Sequence, residues 1–160
     1  MSATRARRPT RDTFPEERPA VPVVITLPTA DRRRPFDFYR DGLGFEPVGD
    51  LADDGVPEPL QFVVGDGLRL MLVPTGGFGW VIGDRTVHTG GGECLLSLGV
   101  ASEAGVDELV DAAQRAGAAV VTVPGPQPWG YTAVFADPDG HLWMIEAGSV
   151  TEPAASTSRP

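Results

Sequence analysis

The chain has 160 residues, 41% of them hydrophobic, a formal charge of −9 and one cysteine. This length suggests one domain with a real core, and the acidity argues against nucleic acid or an anionic membrane surface as partner. A lone Cys94 excludes an internal disulfide, no apolar run approaches the ~20 residues of a membrane span, and no secretory signal is visible, so a cytoplasmic location is expected.

Residues 1–20 mix arginines, acids and prolines with almost no apolar pattern, and residues 151–160 are polar; both read as disordered tails flanking a domain over 21–150. Val21 to Thr29 is rich in β-branched residues and reads as a strand whose prolines suit its ends. Asp31 is placed to cap a helix, Pro35 falls in its first turn, and Phe36, Tyr39 and Leu43 recur at helical spacing. Gly42 and Gly44 end that helix. Glu46 to Leu51 is a strand candidate and Asp53 to Pro59 a loop. Gln61 to Val73 then reads as a hairpin turning at Gly65-Asp66-Gly67.

Pro74 to Gly92 is Gly-rich and long for a loop, which fits either a lid or a segment packing Phe78, Trp80, Val81 and Ile82 on the core or a second copy. Cys94 to Val100 is a strand. Ser102 caps a second helix with Val106, Leu109, Val110 and Ala113 on one face, and Gly117 stops it. Ala119 to Val123 is a strand, PGPQPWG a loop. Tyr131 onward enters a last hairpin through the turn Asp137-Pro138-Asp139-Gly140.

The two halves share one order: strand, cap, helix, strand, hairpin. With Asp31 set on Ser102 and Gly67 on Gly140, Val24–Leu27 falls on Leu95–Leu98, and Leu70–Leu72 on Trp143–Ile145. This is a βαβββ unit used twice, over about 21–74 and 93–150, joined by the loop 74–92. Strand alternation gives one uniformly apolar face, with Ile25, Leu27, Leu70, Leu72, Leu96, Leu98, Trp143 and Ile145, to lie under the helices. The opposite face is mostly apolar with sparse polar groups, as a small-molecule pocket is, or a second core or a dimer face. It carries Thr26, Arg69, Met71, Leu95, Ser97, Met144 and Glu146. The loop aromatics Trp80, Trp129 and Tyr131 flank it and could stack on a ring. Arg69 either pairs with Glu146 across the cavity or holds an anionic or carbonyl group of a ligand.

The motifs ITLPTAD, FDFYRDGLGF and YTAVFADPDGHLWMIE resemble the vicinal oxygen chelate superfamily, the glyoxalase, bleomycin-resistance and extradiol dioxygenase group. The resemblance covers about residues 21–148. It implies an α+β fold in which paired βαβββ modules form a curved mixed sheet around a cavity, helices outside, and it implies a homodimer. The family's metal enzymes take His, Gln or Glu ligands at positions that fall here on Val24, Met71, Leu95 and Met144. None suits a divalent metal. The resemblance therefore implies a protein without metal or other cofactor that binds a small, apolar or partly aromatic ligand, as antibiotic-sequestering members do, and leaves catalysis open. The alternative is a metal-dependent lyase or dioxygenase with displaced ligands among His88, Glu93, His141 and Glu146.

Overall fold

The computed structural model describes residues 23–83, 85–87, 92 and 94–148; both tails, His88 and Glu93 lie outside the described residues. The first module runs β1 (Val23–Thr29), α1 (Arg33–Asp37), a π-helical turn (Phe38–Gly42), β2 (Glu46–Val48), β3 (Leu60–Gly65) and β4 (Leu68–Pro74). Asp31 accepts a bond from the Arg34 amide at 2.9 Å and so caps α1. The wider π turn brings Phe38 and Tyr39 to the same buried side as Phe36.

A helix, α2 (Thr75–Ile82), follows β4 directly. The loop expected over 74–92 is thus replaced by helix for its first part. Pro74 ends the strand with extended backbone, φ −50° and ψ 138°, and nothing in the next eight residues forbids helix. Three glycines there make the helix intrinsically weak, by ~1 kcal/mol each relative to alanine, which is why the segment reads as loop. None of its residues is buried, and Trp80 is 86% exposed.

The second module runs β5 (Leu95–Val100), α3 (Glu103–Arg115), β6 (Ala119–Gln127), β7 (Gly130–Ala136) and β8 (Leu142–Ala147). Ser102 accepts from the Gly105 amide at 3.1 Å, the expected N-cap. Strand β6 continues through the segment read as loop. Register shifts between Val120 and Thr122 and between Thr122 and Gly125 let an edge strand absorb Pro124 and Pro126.

The strands form two four-stranded sheets, β1-β4-β3-β2 and β5-β8-β7-β6, with β1 parallel to β4 and β5 parallel to β8. The repeat holds residue for residue. Val24 pairs with Arg69 and Thr26 with Met71 in the first sheet, as Leu95 pairs with Leu142 and Ser97 with Met144 in the second. The sheets are separate rather than one curved sheet, and no backbone hydrogen bond joins them among the described residues.

What joins the modules is the helical layer. The Tyr39 ring lies 5.4 Å from Phe62 of the first sheet and 5.9 Å from Trp143 of the second. Phe38 meets Phe135 edge-on at 6.3 Å. One core therefore spans both modules, holding Leu60, Leu70 and Leu72 from one sheet and Ala133 and Ile145 from the other. A Cβ on Gly42 would come within 2.5 Å of the Ala116 Cβ, so only glycine fits where the π turn crosses the end of α3.

Candidate ligand-binding faces

Each sheet turns its apolar face toward the helical layer, so its other face points away from the chain. On the first sheet, one row across the outer face is Thr26, Met71, Gln61 and Val48; the next is Val24, Arg69, Val63 and Glu46. On the second, Ser97, Met144, Val134 and Thr122 form a row, and Glu146 lies between Gly99 and Thr132. The apolar members are open: Val24 is 41%, Val63 39% and Leu95 50% exposed. Because the helical layer stands between the sheets, Thr26, Arg69 and Met71 face one side of the chain. Leu95, Ser97, Met144 and Glu146 face the other. A single chain does not bring the seven strand residues together.

The aromatic residues separate further. Trp129 is 68% exposed at the tip of the β6–β7 hairpin. Trp80 stands on α2, which packs beside β1 and β4. Tyr131 points to the helix side, where its hydroxyl donates to Asp107 of α3 at 2.9 Å. Its parity with Ala133 and Phe135 along β7 requires this. Arg69 and Glu146 sit on different sheets, and Arg69 makes no ion pair among the described residues. Gln61 and Thr132, both polar and in the outer-face rows, although Thr132 is buried, escape a reading confined to the central strands. Counting outward from the two hairpin turns finds them.

The turn between β7 and β8 is where sequence and structure meet most closely. Asp137 is buried and accepts from the Tyr39 hydroxyl at 2.5 Å with one oxygen. Its other oxygen accepts from the Asp139 and His141 amides at 2.9 and 2.8 Å. Asp139 in turn accepts from the Thr29 hydroxyl at 2.8 Å and the Ala30 amide at 3.0 Å. The His141 Nε2–H donates to the Pro28 carbonyl at 2.7 Å, and the Trp143 indole donates to the Tyr39 oxygen at 3.2 Å. The motif clamps the second module onto the first. Burial, then the neighbouring Asp137 charge, raises the Tyr39 pKa well above its usual value, and burial raises that of Asp137. His141 is thereby committed to the clamp rather than to the outer faces.

Among the described residues no three His, Cys, Asp or Glu side chains converge on a metal-sized site. Cys94 precedes β5 and is exposed, not buried in the strand. A groove of about 470 Å³ between α1 and α3 is lined by Arg34, Asp37, Asp41 and Arg115, mixed charges that open to solvent.

The profile of the Glyoxalase/Bleomycin resistance protein/Dioxygenase superfamily matches residues 22–145. The chain belongs to this superfamily. Among solved structures similar to this member is the hypothetical protein SA1046 from S. aureus: 28% identical, TM-score 0.66, covering 76% of this chain and 89% of that one. A glyoxalase-related enzyme from Fulvimarina pelagi is 27% identical, with TM-score 0.69 and coverages of 78% and 85%. TnmS3, an antibiotic binding protein from Streptomyces sp. CB03234, is 26% identical, with TM-score 0.55 and coverages of 78% and 92%. No curated protein matches the chain. The positions onto which the resemblance carries the superfamily's metal ligands, Val24, Met71, Leu95 and Met144, are aliphatic or thioether here. They do not fit a divalent cation.

Proposed function

We propose that this superfamily member binds a small, apolar or partly aromatic molecule in a cavity shared by two copies of the chain, without the superfamily's metal. The observation that carries the reading is the pair of outward faces, mixed apolar and polar, whose matching rows put Met71 beside Thr26 and Met144 beside Ser97. Apolar walls with sparse polar anchors suit such a ligand, but each face alone is an open sheet surface. The first sheet of one copy supplies one wall and the second sheet of another copy the opposite wall. The unpaired edges of β1 and β5 supply the seam, since each strand lies at the end of its sheet. Sequestration of an antibiotic or toxin is the activity that fits, and the likeness to an antibiotic binding protein supports it.

The test combines sedimentation with a thermal-shift screen of aromatic and apolar compounds, antibiotics included. The expected result is a dimer that one compound class stabilises by RT ln(1 + [L]/Kd), about 2.7 kcal/mol at a hundredfold excess over Kd. A monomer that no compound stabilises refutes the reading. So does a stoichiometric divalent metal in protein purified without chelator.

A further inference from the structure

The outer faces are not uniform, and their one cation among the described residues stands out. Arg69 is the only basic residue in the outer-face rows of either sheet; its row neighbours Val24 and Val63 are apolar, and Glu46 stands beyond Val63 at the sheet edge. Among the described residues the guanidinium has neither ion pair nor hydrogen bond, although the side chain is half-buried. A guanidinium on an apolar wall with no partner of its own presents its planar donors to whatever enters. The surrounding charge works against that: at −9 the chain as a whole repels anions, so a single inward cation is a local exception.

Topology then fixes what stands opposite. The two modules share strand order and hand, so their outer faces can line one cavity only if the edge of β1 meets the edge of a second copy's β5 antiparallel; a parallel meeting would turn one face outward. In that arrangement Arg69, near the start of β4, and Glu146 of the second copy, near the end of β8, lie at the same end of the cavity. Two edge strands separate them, three strand spacings or ~14 Å along the sheet, too far to pair directly. The same end thus has one cationic and one anionic side. Beyond that end, Met71 lies between Thr26 and Gln61, and Met144 between Ser97 and Val134.

We propose that Arg69 is the anchor for an anionic oxygen group, carboxylate, sulfonate or phenolate, on an otherwise apolar ligand, and that this group sets which ligands bind. The proposal rests on the shared cavity proposed above. It is tested with two dyes of similar aromatic body, anionic 1-anilinonaphthalene-8-sulfonate and neutral N-phenyl-1-naphthylamine, titrated by fluorescence into the full chain. In Arg69→Met the Kd for the anionic dye should rise tenfold or more, while that for the neutral dye stays within twofold. Arg69→Lys, which keeps the charge, should retain most of the anionic dye's affinity, and circular dichroism and sedimentation should match the parent for both variants. An unchanged ratio of the two affinities in Arg69→Met overturns the anchor while leaving the cavity standing. Failure of both dyes to bind the unsubstituted protein removes the cavity and the anchor with it.

Discussion

Replacing Tyr39 with Phe removes one oxygen from the centre of the molecule and keeps the ring. The ring contacts with Phe45, Phe62 and Trp143 survive, so no cavity opens. Two polar groups lose their partner: the Trp143 indole N–H, bonded at 3.2 Å, and an oxygen of Asp137, bonded at 2.5 Å. A buried donor left unsatisfied costs ~1 kcal/mol when its bond was long, and a buried carboxylate oxygen ~2 kcal/mol, so the total is about 3 kcal/mol. For a domain of this size that lowers the Tm by roughly 12 °C. Alkaline pH gives a second readout. The folded pKa of Tyr39 lies above its unfolded value, so above about pH 10 the unfolded chain releases a proton that the folded one keeps. Its contribution is complete below pH 10 and is lost as pH rises, at ~1.4 kcal/mol per pH unit. Urea denaturation at pH 8 and pH 11 measures both quantities. Tyr39→Phe should be less stable at pH 8 and should lose less on going to pH 11 than the parent. A loss below 1 kcal/mol at pH 8, or equal alkaline losses in both proteins, would refute the clamp as a buried, energetically coupled unit.

Asp139→Ala removes the acceptor for Thr29 and Ala30, and a loss of ~1–2 kcal/mol in unfolding free energy by urea denaturation is expected, with secondary structure by circular dichroism unchanged. Gly42→Ala should cost ~1–3 kcal/mol by overpacking against Ala116, and the added substitution Ala116→Gly should restore much of it; thermal melts of the three proteins decide. Ser102→Ala should cost ~1 kcal/mol through the lost cap of α3, seen as a lower Tm without any change in dye affinity.

Much of this architecture is written in periodicity. The doubled βαβββ order, the residues sharing each strand face, and the caps at Asp31 and Ser102 follow from alternation, helical spacing and turn residues. The superfamily follows from the same motifs. Helix α2 was hidden because its glycines weigh against helix while nothing else in the segment opposes it. The continuation of β6 was hidden because bulges reconcile prolines with an edge strand. The outer faces were legible as sets of residues, since parity along a strand is local. That they point in opposite directions was not legible, because parity does not say which helical layer a sheet rests on. The contacts that decide it run from Tyr39 to Phe62 on one side and to Trp143 on the other. The second is 104 residues away in sequence and leaves no periodic trace.

The clamp also constrains the order in which the chain can be completed. Pro28, Thr29, Ala30 and Tyr39 are made early, and the groups that satisfy them, Asp137, Asp139, His141 and Trp143, come about a hundred residues later. During synthesis the first module emerges with its helix uncovered and these polar groups wet. Its contacts with Phe135 and Trp143 can form only once the last hairpin has left the ribosome. Closing loops of that length is slow, since non-local contacts form only after their ordering entropy has been overcome. The first module is therefore not a unit that can be cut out and expected to stand alone. Chains ending before residue 137 lack the whole clamp, whatever strand content they already hold.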